Sequence, residues 1–166
     1  RYSQSLFRAI ALRRLIVHRS VKNEILRRLK SIYGNLKVGD PREEGVLVGP
    51  LIDEGAFAAM QNALRISGQH AGRLHEGERV IDKVPAGGFY VRPAIVEIAK
   101  DAPIVKEETF APILYVIDYD SLEEAIAIHN DGPQRRSVAI FTGDIHGAEL
   151  FMSPSLVDLG IANVNI

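Results

Sequence analysis

The 166-residue sequence contains no cysteine and no tryptophan. Without a thiol these residues offer no disulfide frame, no thiolate metal site and no cysteine nucleophile. No apolar run approaches the ~20 residues that a membrane-spanning helix needs. Neither G-x-G-x-x-G nor G-x-x-x-x-G-K-[ST] occurs, so no phosphate-cradling loop is recognisable, and no G-x-S-x-G elbow is present. Acid is scarce in one region. Residues 1–37 carry ten Lys/Arg against Glu24 alone, a local +9 in a chain of net charge −1. Such a stretch suits a nucleic-acid arm, an import signal or a solvated helix face. Aromatic interleaving is confined to Tyr2, Phe7 and Tyr33, which speaks against nucleic acid. A strand beginning near Leu12 leaves little room for a cleavable leader.

What the sequence does contain is alternation. Hydrophobic residues make up 46% and charged residues 25%, the balance of a chain that buries a core. LRRLIVH (12–18) reads as a strand. Ser20 is then placed to cap a helix whose apolar stripe is Val21, Ile25, Leu29 and Ile32, stopped by Gly34-Asn35. On that helix Lys22, Arg27, Arg28 and Lys30 are expected on the exposed face. A second helix runs from Asp53 to about Gly68 with Phe57, Met60 and Leu64 on one stripe. YVRPAIVEI (90–98) is strand-like, but Pro93 cannot donate to a ladder and marks a break or an edge. ILYVIDY (113–119) is a strand, and Ser121 and Glu124 stand at capping-box spacing for a helix reaching Asn130. SVAIFT (137–142), a helix over Asp144–Met152 and IANVNI (161–166) complete the series. Strands alternating with helices predict an α/β fold with a largely parallel sheet and flanking helices, in a single domain over 1–166. The last strand runs to the final residue without a cap, the pattern expected of a chain that continues.

Candidates for chemistry are few. The five histidines are scattered, with His70 and His75 badly spaced for one helix face, so no metal site is expected. Of the acidic pairs, Glu43-Glu44 looks like loop and Glu123-Glu124 like charge at a helix start. Glu107-Glu108 differs, because it stands just before a strand and is followed by Thr109, Phe110 and Pro112. Loops at the strand ends of α/β sheets are where ligands bind. There a carboxylate can accept from sugar hydroxyls and an aromatic can lie against a flat ring. A capped turn with a buried Phe accounts for the same residues.

The segments VGPLID, YVRPAIVE, EETFAPILYV and GIANVNI, in this order and spacing, resemble the aldehyde dehydrogenase superfamily. The forms EETFAPILYV and NVNI are most similar to its aminoadipic-semialdehyde (antiquitin-type) branch. The resemblance runs from about Leu12 to Ile166 and implies the catalytic-domain fold, with the family's coenzyme domain and C-terminal arm unmatched. It implies NAD(P)-linked oxidation of aldehydes to acids, with Glu108 on the nicotinamide ribose and Phe110 flanking the ring. It also places the family's nucleophilic cysteine at Ala9, with Phe7 at the neighbouring glutamine and Ile10 and Ala11 at threonines. A methyl group cannot form the thiohemiacetal from which hydride leaves. The resemblance thus implies no catalytic nucleophile, an inactive chain when alone, and weak or absent NAD(P) binding. Two further departures are Arg135-Arg136, where small residues are usual, and the apolar run Leu156–Leu159.

The expected partners are further copies of the chain or a relative bearing a coenzyme domain, with no nucleic acid and no membrane. A non-enzymatic, self-associating scaffold is the alternative function. A cytoplasmic location is expected, with a mitochondrial one open for this branch.

Overall fold

The computed structural model describes residues 12–131, 137–153 and 161–165. The chain divides into two compact units, residues 1–118 and 119–166. The first is built on a four-stranded sheet of order β1-β6-β5-β2, comprising β1 (Arg14–His18), β2 (Arg73–His75), β5 (Ala94–Glu97) and β6 (Ile113–Tyr119). β5 runs parallel to β6, with Ala94 opposite Ile113 and Glu97 opposite Val116. A parallel pair needs a crossover of a dozen or more residues; residues 98–112 supply it, including a 3-10 turn at Pro103–Lys106. β2 joins β5 antiparallel, so the α/β class holds but the sheet is mixed. A short hairpin pairs β3 (Arg79–Val80) with β4 (Tyr90–Val91). Pro93 separates β4 from β5, as its missing N–H requires.

Alternate residues of the sheet go to opposite faces. On one, Ile95, Leu114, Val116 and Val17 pack with Leu26 of helix α1 (Arg19–Gly34). On the other, Ala94, Val96, Tyr115 and Ile117 are equally buried. Helix α2 (Glu54–Gln69) covers this side, inserting Met60, Ala63, Leu64 and Ser67. Burial on both faces explains why β6 reads as a near-continuous apolar run.

Helix α1 departs from the sequence expectation in two ways. Its cap is His18, whose Nδ1 accepts from the Ser20 N–H at 3.3 Å. Its buried stripe is Leu26 with Ile25, Leu29 and Tyr33, whereas Val21 and Ile32 are 46% and 56% exposed. The helix is turned because two of its lysines face the sheet. Lys30 donates to Glu97 at 2.9 Å, and Lys22 lies 3.9 Å from Glu97 and 3.3 Å from Asp118. Arg19 reaches Asp118 at 3.1 Å. Lys22 and Lys30 therefore do not sit on a bare exposed face. Arg27 and Arg28 do face solvent, where together they hold the Glu24 carboxyl down to about 2.

Glycine is demanded at position 77, which follows β2 with φ +104°. A Cβ there would stand 2.7 Å from Leu64 Cδ1 and 3.1 Å from the Ala94 Cβ. Gly77→Ala is expected to lower stability by about 1–3 kcal/mol, measured by urea denaturation; an unchanged midpoint would refute this.

In the second unit, helix α3 (Leu122–Asn130) starts at Ser121, whose Oγ accepts from the Glu124 N–H at 3.2 Å. The Glu124 carboxylate accepts in return from the Asp120 N–H at 2.8 Å, one residue earlier than a standard capping box. β7 (Ser137–Ile140) and β8 (Ile161–Val164) pair in parallel, and helix α4 (Ile145–Met152) follows β7. Ile126 and Phe151 form the core, with Leu122, Val138, Ile140 and Leu150 around them. Asn165, at φ 57°, accepts from the Thr142 N–H and donates to the Thr142 carbonyl, closing the end of the pair. Among the described residues, no helix is long and apolar enough to cross a membrane.

Candidate functional site

The first unit contains a cavity of about 640 Å³. One wall is a face of α2 and the residues just before it, formed by Ile52, Gly55, Ala56, Ala59, Asn62 and Ala63. The i, i+3, i+4, i+7 spacing puts these residues on one side of the helix. Glycine and alanine leave volume there that longer side chains would take. Asp53 fixes the start of this wall by accepting from the Ala56 N–H at 2.7 Å.

The opposite wall is Ile104 and the segment Glu107–Phe110. Among the described residues this segment has no ladder partner, and local turns hold its backbone. The Glu107 N–H donates to Ile104 O at 3.2 Å, and the Ala111 N–H to Thr109 O at 2.8 Å. Pro112 O accepts from the Ala94 N–H at 2.8 Å, tying the exit to β5. On the entry side, the Arg13 guanidinium donates to the Glu107 carbonyl. Glu108 is half-buried, whereas Glu107 and Phe110 are exposed, so the alternative of a turn with a buried Phe does not hold.

Both site residues implied by the resemblance, Glu108 and Phe110, thus stand on the same cavity wall. Ala9 and its neighbours Phe7, Ile10 and Ala11 lie outside the described residues, as do Arg135-Arg136 and Leu156–Leu159. The α2 wall was not anticipated from sequence, although Gly55, Ala56, Ala59 and Ala63 carry a readable small-residue periodicity. Chemically, the lining offers two carboxylates, the Thr109 and Asn62 side chains and an aromatic ring, with no Lys or Arg among the described residues. These groups suit a hydroxylated, ring-bearing ligand. The cavity volume lies within the ~300–1,000 Å³ of small-molecule sites.

Comparison with known proteins gives the family and the fold. A model of the aldehyde dehydrogenase family matches residues 8–166, and the chain belongs to that family. Aldehyde dehydrogenase family 7 member A1 of Pisum sativum is 42% identical over 159 residues, covering 96% of this chain. Alpha-aminoadipic semialdehyde dehydrogenase of Mus musculus is 39% identical over 160 residues, again covering 96% of the chain, in the branch that EETFAPILYV and NVNI resemble. The chain spans 31% of the pea protein's length and 29% of the mouse protein's. Among solved structures, P. syringae AldA indole-3-acetaldehyde dehydrogenase superposes with a TM-score of 0.82 at 30% identity, covering 92% of this chain and 30% of that one. That protein is a cysteine-to-alanine mutant in complex with NAD+ and IAA.

Proposed function

We propose that this chain is a portion of an aldehyde dehydrogenase catalytic domain, a single domain of that fold, which keeps half of a nicotinamide-ribose site and lacks the nucleophile. The observation that carries the reading is the convergence of Glu108 and Phe110 on one cavity. The Glu108 carboxylate would accept from ribose hydroxyls, and the Phe110 ring would flank the nicotinamide. When bound, NAD(P) supplies a hydride acceptor. This chain's residues bind and orient the ring, and Ala9 at the nucleophile position leaves no sulfur to hold an aldehyde. That a cysteine-to-alanine relative was captured with NAD+ supports separating cofactor binding from turnover. Among the described residues the cavity lining has no basic side chain for a pyrophosphate, and we expect weak affinity, with a Kd above about 1 mM.

The test mixes the chain with an aldehyde and NAD and follows the absorbance of the reduced nicotinamide. No turnover above a protein-free blank is expected. Turnover that disappears when Ala9 is altered would overturn the reading, and micromolar NAD affinity by calorimetry would overturn the half-site.

A second reading is a self-associating scaffold. In the second unit Phe141 and Ile145 are 74% and 77% exposed, and exposed apolar patches commonly mark association sites. Light scattering at roughly tens of micromolar should then report a species larger than the monomer, since interfaces of standard size hold in that range. A cytoplasmic location remains our placement, with the mitochondrion as the alternative for this branch.

A further inference from the structure

Beneath the Glu107–Phe110 segment lies a group that the proposed function does not use. Tyr115 of β6 is 1% exposed, and its hydroxyl is buried without a formed hydrogen bond. The polar side chains that act on it are Ser67 on α2 and Thr109 on the segment. Burial pushes the phenol up, so it stays protonated and able to donate. Ser67 Oγ already donates to the Ala63 carbonyl at 2.8 Å, which leaves its lone pairs for Tyr115. Thr109 can donate to the Tyr115 oxygen. The donors then run one way, from Thr109 to Tyr115 to Ser67 to the α2 backbone. A buried hydroxyl left unpaired is costly, so this chain of donors favours drawing Thr109 inwards.

Arg13 acts on the same segment from the other side. Its guanidinium donates to the Glu107 carbonyl, and its own carbonyl accepts the Tyr115 N–H at 2.9 Å. The two residues are therefore joined through the β1–β6 backbone; Arg13 bonds to the segment through its side chain, and the Tyr115 hydroxyl has Thr109 of the segment as a neighbour.

We infer that Arg13 and Tyr115 are positioning residues, a two-point latch that sets the Glu107–Phe110 segment over the cavity and thereby aims Glu108 and Phe110. Neither side chain lines the cavity, so each acts through the segment. The consequence for a ligand rests on the nicotinamide-ribose reading; the latch itself does not.

Hydrogen exchange of the free protein tests the latch. The amides of Glu107 and Ala111, which carry the segment's turn hydrogen bonds, are expected to exchange about tenfold faster in Tyr115→Phe and in Arg13→Ala. The β5 and β6 amides should keep their protection. Arg13→Lys, which retains a donor, should restore part of the slowing. Tyr115→Phe and Thr109→Val should give the same acceleration singly and together, because they break one link. Unchanged exchange at Glu107 and Ala111, an equal loss of protection across the whole sheet, or additive effects of the Tyr115 and Thr109 variants would each overturn the latch. A separate arm titrates NAD and follows ligand resonances. Weaker NAD binding in Glu108→Gln with unaltered exchange supports the cofactor reading. Faster exchange in the latch variants without any change in NAD binding keeps the latch and refutes that reading.

Discussion

Replacing Ile95 by alanine is expected to lower the stability of the first unit by about 3–4 kcal/mol. Ile95 is fully buried on β5, between β6 and β2 in the sheet order, and packs in the cluster that joins Val17, Leu114 and Val116 to Leu26 of α1. Truncation removes three carbons from a site enclosed by strands on both sides and a helix above. Strands cannot close up without breaking their ladders, so most of the cavity persists and the cost lies towards the upper part of the usual range. Val21→Ala is the control. The sequence stripe counts Val21 as core, but at 46% exposure it should change stability by less than about 0.5 kcal/mol. Urea denaturation followed by circular dichroism gives both values. Comparable losses in the two variants would mean that α1 is rotated towards the sequence-derived stripe.

The second large effect concerns the ionic cluster between α1 and the sheet. Glu97→Gln combined with Asp118→Asn is expected to cost about 2 kcal/mol at neutral pH. Fully buried pairs lose more on being broken and exposed pairs less; here the carboxylates are 14% and 29% exposed and Lys22 is 21% exposed, between those limits. The pH dependence follows from Asp118. Burial pushes its carboxyl up, but hydrogen bonds from Arg19 and Lys22 outweigh burial and hold it below the ordinary carboxylate range. A group depressed in the folded state binds fewer protons there than in the unfolded chain. Its contribution is therefore complete above the ordinary Asp value of ~3.9 and is lost as pH falls through the folded value. The difference in stability between the parent and Asp118→Asn should be full near pH 7 and shrink below about pH 4. A difference that stays constant down to acid pH would remove Asp118 from the account.

These two cases show where the sequence could be read and where it could not. The strand ILYVIDY, the break at Pro93, the cap at Ser121 and the helix opened by Asp144 were legible, because each depends on neighbours within a few residues. The rotation of α1 was not. It is set by Glu97 and Asp118, far along the chain, and a local apolar period carries no record of them. The same division runs through the site. Glu108 and Phe110 stand out because acids and an aromatic before a strand are locally unusual. Tyr115 reads as one more core residue of β6, and Arg13 as one more charge in a basic stretch. Their relation to the Glu107–Phe110 segment exists only once β1 and β6 lie side by side.

The alanine wall of α2 bears on how such a site can diverge. Capacity comes from methyl-sized side chains at positions 56, 59 and 63, whereas the groups to which we assign selectivity are the carboxylates and ring at 107–110. The two properties are written on separate stretches of chain. A lineage could therefore shut the chamber by enlarging one helix position, leaving every recognition group in place, or alter recognition while the chamber keeps its size. Descendants that keep Glu108 and Phe110 need not have kept room for anything to meet them.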